Sequence, residues 1–276
     1  MKETFFFFKS GNFNLFGTIC FANSDKAVIF CSPFGEEKVR TYRVFRNFAV
    51  LLAQNGYTSF RFDYMGEGDS DGEFEEATIT TRLKNIADAI EFLKTQIIVK
   101  EITLLGLRFG GTLALLAASR FKDVQNIILW QPIVDCKRYF YDLLRSNLTL
   151  QMRAYKKVIY NRSQLIEKMM QGETVNVEGY LWTWEFYKEA ISIDLFNESK
   201  KYFGNSLIVQ ISQSNELEEQ FIRLHQTLNE NGARHTILHL PKEFLWEHLR
   251  FYNPNPYKLF TKTLEWLKGN ERDSTF

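Results

Sequence analysis

Cysteine is scarce in this chain, and the few cysteines lack the pairing of a disulfide or metal framework. Cys20, Cys31 and Cys136 are the three cysteines among 276 residues, and no two of them form a CxxC pair. Secreted disulfide scaffolds use even sets of cysteines, and thiolate metal sites use CxxC pairs. We therefore expect a reduced, cytoplasmic protein.

Long hydrophobic runs are absent as well. The four phenylalanines at 5–8 are followed at once by Lys9, and the run lacks the basic segment and the small-residue cleavage site of a signal peptide. It indicates the beginning of a β-strand. No segment reaches the roughly 20 apolar residues that a membrane span needs, so we expect no transmembrane segment.

Strong net charge and cofactor motifs are missing too. The net charge is +1 at pH 7, so no global field attracts nucleic acid or an anionic membrane. No pair of histidines has the spacing of a metal site with a carboxylate or cysteine partner. The glycines of "GEGDSDG" at 66–72 do not open a helix in the dinucleotide-binding pattern. We expect no metal and no cofactor, and a small molecule rather than a nucleic acid as partner.

The composition is otherwise that of a folded globular protein. Hydrophobic residues make up 45% of the chain and aromatic residues 16%, with 26 phenylalanines. Such an aromatic content fits either a phenylalanine-rich core or a pocket lined with rings. A chain of this length can form one large α/β domain or a domain with an inserted cap.

Apolar runs alternate with amphipathic segments along most of the chain. After an opening hairpin over 5–21, strands are predicted within 26–34, 57–72, 101–111, 124–132, 205–212 and 235–241. Helices are predicted around Tyr42–Leu52, Thr78–Lys94, Thr112–Arg120 and Glu216–Asn229, with a closing helix through Leu259 and Leu267. This alternation predicts a mostly parallel central sheet with helices on both faces.

One long segment interrupts the alternation. Residues 137–203 show helical periodicity and many basic and aromatic residues, including "EGYLWTWEFY" at 178–187. A segment of this length between core strands is typical of a lid rather than of a structureless loop. We expect an α/β core made of 1–136 and 204–276 and a helical cap made of 137–203. The cap aromatics could line a ligand cavity or form the core of the cap.

The stretch "LLGLRFGGTLAL" at 104–115 runs a strand into a glycine-flanked turn and then into a helix. That is the construction of a nucleophile elbow, G-x-S-x-G, in which the middle residue is the attacking serine. In this chain the middle residue is Arg108. The carboxyl ends of the strands, where such a turn falls, are the usual location of active sites in parallel sheets.

With "FDYMGEGDSDG" at 62–72, "GLRFGG" at 106–111 and this element order, the chain resembles the α/β-hydrolase fold superfamily over nearly its whole length. Three stretches are similar to one subgroup, the exosortase-system-associated hydrolases: "SPFGEEK" at 32–38, "GLRFGG" itself, and "VEGYLWTWEFYKEAISIDL" at 177–195. This resemblance implies that arginine in the elbow is a trait of the subgroup.

The resemblance also implies a serine, an acid and a histidine in that chain order. Arg108 stands at the serine position, Asn215 is the nearest equivalent of the acid, and His248 is the nearest downstream histidine. The implied oxyanion donors are the backbone N–H groups of Phe34 and Phe109. Because "QSNELEE" at 213–219 aligns in several ways, the acid position is open.

Arg108 cannot act as the nucleophile. A guanidinium stays protonated in proteins and has no lone pair with which to attack a carbonyl. Two interpretations of Arg108 remain open. It could bind a carboxylate, phosphate or sulfate beside the helix N-terminus, or it could form an internal ion pair. Candidate partners for that pair are Glu36, Glu37, Glu216 and Glu247.

The remaining histidines and serines give weaker signals. His248 could be a surviving general base or a surface histidine, while His225 and His239 fit packing positions and His235, which opens a strand, gives no signal. Ser32 and Ser70 are minor candidates for another nucleophile, since neither sits on an elbow. Asp63 fits a structural role in its loop.

Two functions from different classes follow. The first is a non-hydrolytic protein or pseudo-enzyme that binds an anionic or acylated small molecule between cap and core. The subgroup resemblance implies a role in surface-polysaccharide or natural-product biosynthesis. The alternative is an active esterase, thioesterase or acyltransferase that uses another nucleophile or water activated by His248. The sequence gives no signal for the oligomeric state.

Overall fold

A computed structural model describes residues 3–241, 245–246 and 253–273 of the chain. The strands within these ranges are β1 (Glu3–Ser10), β2 (Phe13–Cys20), β3 (Lys26–Cys31), β4 (Thr58–Phe62), β5 (Glu101–Leu107), β6 (Asn126–Trp130), β7 (Val175–Val177), β8 (Tyr180–Trp182), β9 (Asn205–Ser212) and β10 (His235–Pro241). Apart from the hairpin β7–β8, these strands form a single sheet.

The sheet has the order β1-β2-β4-β3-β5-β6-β9-β10. The pairs β1–β2 and β2–β4 are antiparallel, and all the following pairs are parallel. The predicted mostly parallel sheet with an antiparallel start is therefore confirmed. Because β3, β5, β6 and β9 run parallel and adjacent, their carboxyl ends lie at one edge of the sheet.

The helices within the described ranges are α1 (Glu36–Gln54), α2 (Ile79–Gln96), α3 (Phe109–Ala118), α4 (Cys136–Leu143), α5 (Arg145–Tyr155), α6 (Arg162–Met170), α7 (Trp184–Ile191), α8 (Leu195–Ser199), α9 (Glu219–Asn229) and α10 (Tyr257–Asp273). None of these helices is long and apolar enough to cross a membrane.

The central strands are buried on both faces, as parallel strands between two helical layers usually are. Alternate residues point to opposite faces of the sheet. Ile29 and Leu104 accordingly pack in one apolar layer with residues of α2 and α3, and Phe30 and Leu105 pack in a second layer with residues of α1 and α10. This double core holds the carboxyl ends of the strands in fixed positions.

Three details differ from the sequence predictions. The apolar pattern of the first helix predicts that Tyr42 shares the buried face of Phe45 and Phe48, but Tyr42 is 51% exposed, whereas the two phenylalanines are buried. The helix α3 begins at Phe109 rather than Thr112, directly after Arg108, because glycines allow it to pack closely on the neighbouring strand. The helix α9 begins at Glu219 rather than Glu216.

The segment between β6 and β9 contains α4–α8 and the antiparallel hairpin β7–β8. Of this hairpin, β7 precedes "EGYLWTWEFY" and β8 lies inside it, in a segment for which helices were predicted. The bounds of core (1–136, 204–276) and cap (137–203) stay a prediction. Trp182, Phe186 and Tyr187 are each 2% exposed or less, so these rings serve mainly as internal packing.

Candidate functional site

The turn between β5 and α3 has the strained backbone of an elbow. Arg108 has φ 54° and ψ −126°, a backbone conformation that residues other than glycine rarely adopt. Its N–H donates to the carbonyl of Trp130 at 2.9 Å, and its carbonyl accepts from the N–H of Gly111 at 2.9 Å. The turn is thus held on both sides, and residue 108 projects from a fixed corner.

Glycine is required at this corner for reasons of space. A Cβ on Gly110 would lie 2.1 Å from the carbonyl oxygen of Cys31, and a Cβ on Gly106 would lie 2.1 Å from the carbonyl oxygen of Gly110. Backbone cannot yield to such contacts as a flexible side chain can. The glycines therefore bring the start of α3 against both β5 and the end of β3.

The side chain of Arg108 is held by a carboxylate and two rings. Its Nε donates to Oε1 of Glu37 at 3.1 Å. Its Cζ lies 5.6 Å from the ring centroid of Tyr139 and 5.1 Å from that of Trp246. Among the four acids that the sequence offered as partners, Glu37 is the one that the described residues place beside Arg108. The guanidinium is 20% exposed.

Glu37 is itself fixed from the other side. Tyr139 donates from its hydroxyl to Oε2 of Glu37 at 3.1 Å. Burial, followed by the charge of Glu37, raises the pKa of Tyr139 well above its usual value. Tyr139 therefore remains a neutral donor at any physiological pH. The carboxylate of Glu37 joins the arginine and the phenol in one chain of hydrogen bonds.

The edge of the guanidinium that carries Nη1 and Nη2 has no hydrogen-bond acceptor within the described ranges. The hydrogen bond from Nε is the single one that Arg108 makes there with its side chain, so no described acceptor lies at Nη1 or Nη2. These two groups carry four N–H bonds in a planar fork that suits a carboxylate or phosphate.

The predicted oxyanion donors lie on two adjacent loops. Phe34 follows β3 and Phe109 begins α3, and their ring centroids are 6.0 Å apart. Within the described residues, no backbone acceptor receives a hydrogen bond from the N–H of either residue. The ring of Phe34 stacks on Phe186 at 5.1 Å, so it ties this loop to the segment between β6 and β9. The role of the two N–H groups as oxyanion donors stays a prediction.

Of the other two triad positions, only Asn215 lies within the described residues, and no described hydrogen bond or ion pair joins it to Arg108. Asn215 lies in an exposed loop between β9 and α9, and Glu216 beside it accepts a hydrogen bond through its backbone carbonyl from the side chain of Gln210. His248 lies outside the described residues, as does Glu247. The aromatic residue that meets Arg108 from this part of the chain is Trp246, which the sequence analysis did not single out.

Of the two serines named as other nucleophiles, Ser70 makes hydrogen bonds that indicate a structural role. The hydroxyl of Ser70 donates to the carbonyl of Asp63 at 2.7 Å and accepts from the N–H of Phe16 at 2.9 Å. It thus fastens the acidic loop to β2. No histidine within the described residues makes a hydrogen bond with Ser70 or Ser32.

Two other serines contact histidines. Oγ of Ser206 lies 2.8 Å from Nδ1 of His235 near the amino end of β9, and Oγ of Ser212 lies 3.2 Å from Nε2 of His239 at its carboxyl end. Ser206 is fully buried, which makes it a packing group. Ser212 is partly exposed, and the amide of Gln210 also donates to its hydroxyl at 2.7 Å.

A buried charge network lies beside the elbow and was not predicted from the sequence. Arg82 pairs with Glu67 at 2.6 Å, and Lys38 pairs with both Glu67 at 2.9 Å and Asp63 at 2.6 Å. Burial tends to raise the pKa of Glu67, but Lys38 and Arg82 outweigh it and lower that pKa. The guanidinium of Arg82 also lies over the rings of Phe34, Tyr64 and Phe74. The network supports the loop that carries Phe34.

Two cavities are bordered in part by residues of the segment between β6 and β9, and Arg108 lines neither of them. One of about 530 Å³ is bordered by Gly35, Lys38, Tyr42, Glu67 and Tyr180, so it lies between the loop after β3 and the hairpin β7–β8. The other, of about 490 Å³, is bordered mainly by residues of α4, α6 and α7. Within the described ranges no group of three or more His, Cys, Asp and Glu residues could hold a metal ion.

Solved structures share the whole architecture at low sequence identity. Est1E from Butyrivibrio proteoclasticus, in a complex with ferulic acid, has a TM-score of 0.69 and 16% identity, with 96% of this chain and 98% of Est1E covered. The α/β hydrolase GrgF from Penicillium sp. sh18 gives 0.67 and 20%, covering 97% and 98%. A proline iminopeptidase from Mycobacterium smegmatis gives 0.62 and 12%, covering 98% and 100%.

These similarities confirm the predicted α/β-hydrolase fold. No curated protein sequence matches the chain. The model of the family described as "Serine aminopeptidase, S33" matches residues 22–200. That range includes Phe34, Arg108 and Phe109 and ends before Asn215. Since the match extends over more than half of the 276 residues, the chain belongs to the serine aminopeptidase S33 family of α/β hydrolases.

Proposed function

We propose that this chain is a non-hydrolytic α/β-hydrolase-fold protein that binds a small molecule with an anionic group at the elbow. The observation that carries the proposal is the side chain of Arg108, which occupies the nucleophile corner and is held there by Glu37 at 3.1 Å. The resemblance to exosortase-system-associated hydrolases supports a role for such a binder in surface-polysaccharide or natural-product biosynthesis.

The chemistry of residue 108 supports the absence of hydrolysis through this corner. An arginine has no electron pair for attack and no proton that a histidine could remove at neutral pH. The guanidinium is instead engaged by Glu37 and by the rings of Tyr139 and Trp246. These contacts support the proposal that no acyl-enzyme forms at this corner.

Anion binding is supported by the donors that converge on the corner. Glu37 engages Nε and leaves the Nη groups without a described acceptor. Phe109 begins α3 directly after Arg108, at the positive end of that helix, and neither its N–H nor that of Phe34 has a described backbone acceptor. Because Glu37 offsets the charge of Arg108, binding relies on directed hydrogen bonds to the ligand rather than on net charge.

Ferulic acid and methyl ferulate form a suitable probe pair, because Est1E is described with ferulic acid bound and the pair differs only in the charged group. We expect calorimetry to detect binding of ferulate and at least about tenfold weaker binding of the ester, a difference typical of one charge-assisted hydrogen bond. Arg108→Gln should abolish the preference for the acid. Arg120→Gln, at an exposed position two residues after α3 ends, is the matched control. Equal affinities for acid and ester would refute the proposal.

Hydrolysis through another nucleophile is the second candidate function, and the contact between Ser212 and His239 favours it. Since Gln210 donates to Oγ of Ser212, the hydroxyl proton is free to point towards Nε2 of His239. Neither residue borders the two cavities described above, and the same is true of Arg108.

A fluorophosphonate probe and methyl ferulate hydrolysis decide between the two functions. We expect no labelled serine and no turnover. Labelling that disappears in Ser212→Ala, or in Ser32→Ala, would establish a working hydrolase and overturn the non-hydrolytic proposal.

A further inference from the structure

The strand β1 forms one edge of the sheet, and within the described residues it pairs only with β2. Its register with β2 is continuous from Glu3 to Ser10, without a bulge. It contains no proline. Natural edge strands usually carry bulges, prolines or inward-pointing charges that prevent pairing with another chain. This strand has charged residues only near its two ends.

The free hydrogen-bonding groups of β1 can be assigned from the bonds of β2. The carbonyls of Asn14 and Phe16 accept from Asp71 and Asp63, each at 2.9 Å, and so point away from β1. Phe7 lies opposite Phe16 and Lys9 opposite Asn14. The two residues of each pair therefore exchange no backbone hydrogen bonds. In an antiparallel ladder such pairs alternate with hydrogen-bonded pairs along the strand. The backbone groups of Glu3, Phe5, Phe7 and Lys9 therefore face the open edge.

The side chains of the same residues form an exposed apolar strip. Phe5 is 65% exposed and Phe7 is 62% exposed, and both rings contact Phe16, with centroids 6.0 and 5.5 Å apart. Beyond Phe16 the apolar surface continues to Val39, which is 62% exposed, and to Tyr42. On the opposite face of β1, Phe8 is buried. A contiguous patch of this kind on a soluble chain indicates an interaction surface.

We propose that two copies of this chain pair antiparallel along β1, with Phe5 of each copy opposite Phe7 of the other, so that the two sheets become continuous. The pairing satisfies the open N–H and C=O groups and covers the phenylalanine strip in one step. It is independent of the function proposed for the elbow.

The charged ends of the strand select this register. When Phe5 faces Phe7, Glu3 of each copy lies opposite Lys9 of the other, and opposite charges in directly facing positions stabilise a strand pair. The two neighbouring registers that use the same free groups place Phe5 opposite Phe5 or Phe7 opposite Phe7. They bring a charged residue opposite a phenylalanine. Glu3 is fixed on this face by Arg46 and Arg61, each at 2.7 Å.

Sedimentation-velocity ultracentrifugation of the full chain over a range of concentrations tests the association. We expect a dimer whose dissociation constant rises at least about tenfold in Phe7→Lys, because the change removes buried apolar area and places like charges in the interface. Ile98→Lys, at a position that is 84% exposed elsewhere on the surface, should leave the dimer intact. A monomeric wild-type chain would overturn the proposal, and so would equal weakening by both substitutions.

Cysteine cross-linking tests the register without relying on affinity. The native cysteines are all buried, so Phe5→Cys and Phe7→Cys each introduce one accessible thiol. A mixture of the two variants should form a disulfide between unlike chains under mild oxidation. Each variant alone should not. Efficient cross-linking of either variant with itself, or none in the mixture, would contradict the pairing.

Discussion

Arg108 and Glu37 join two helix N-termini through one ion pair, with Nε of the arginine 3.1 Å from Oε1 of the glutamate. Glu37 lies in the first turn of α1, and Arg108 directly precedes α3. A carboxylate is favoured at a helix N-terminus, whereas a cation is disfavoured there. The glutamate therefore offsets the unfavourable position of the arginine, and each residue makes the other's placement tolerable.

The first prediction concerns this coupling. Arg108→Gln should destabilise the wild-type chain but have a smaller effect in a Glu37→Gln background, because the ion pair has then already been lost. For a pair with 20% and 13% exposed side chains, we expect a coupling energy of about 1 kcal/mol. Urea unfolding of the four proteins in the cycle measures it. Strictly additive effects would show that the two groups do not interact.

The second prediction concerns the elbow backbone. In Gly110→Ala the new Cβ would lie 2.1 Å from the carbonyl oxygen of Cys31, so we expect a loss of about 3 kcal/mol or more from overpacking against backbone. Gly111→Ala is the matched control, because its nearest contact is 3.2 Å and the higher helix propensity of alanine compensates. Thermal unfolding should separate the two variants. Similar melting temperatures would contradict the close approach of α3 to β3.

The sequence predicts the fold well because the alternation of strands and helices is a local signal. Runs such as those around Ile29 and Leu104 are apolar throughout, and only strands between two helical layers need that pattern. The prediction that Tyr42 is buried was wrong, because helical periodicity identifies the apolar face of a helix but not how much of that face the neighbouring elements cover. That tyrosine borders a cavity instead of the core.

The site was only partly predictable. The elbow could be found because its glycines are adjacent in the chain, and Glu37 was one of several acids proposed for Arg108. The contact with Trp246 depends on the path of a distant loop, which no local pattern reports. Lys38, Asp63 and Glu67 are charged residues, and the sequence alone gives no sign that they form a buried network instead of facing solvent. Arg82 did carry a signal, since it lies between Ile79 and Ile86 on the apolar side of α2.

The third prediction concerns the buried network. Glu67→Gln should destabilise the chain by about 3–5 kcal/mol, because it leaves the guanidinium of Arg82, which is 1% exposed, without its carboxylate. Glu91→Gln, whose side chain is 67% exposed on the same helix as Arg82, should change stability by less than about 0.5 kcal/mol. Urea unfolding at neutral pH compares the two. A Glu67→Gln chain as stable as the control would mean that Arg82 does not depend on Glu67.

The fourth prediction concerns the pH dependence of stability. Burial, followed by repulsion from His225, lowers the pKa of His235 from 6.5 to about 4. Its Nε2 is buried without a hydrogen-bond partner in the described residues, so the protonated ring is disfavoured in the folded chain. Between pH 6.5 and 4 the unfolded chain therefore binds more protons at this residue, and its contribution to stability, complete above pH 6.5, falls as the pH falls through this window.

His235→Asn removes this titration and keeps a polar group near Ser206. The free energy of unfolding of the wild-type chain should therefore fall more steeply than that of the variant across the window, by up to about 1.4 kcal/mol per pH unit. Urea titrations at several pH values measure both slopes. Because the other ionisable groups are the same in the two chains, their contributions cancel in the difference. Parallel pH profiles would show that His235 is protonated as readily in the folded chain as in the unfolded one.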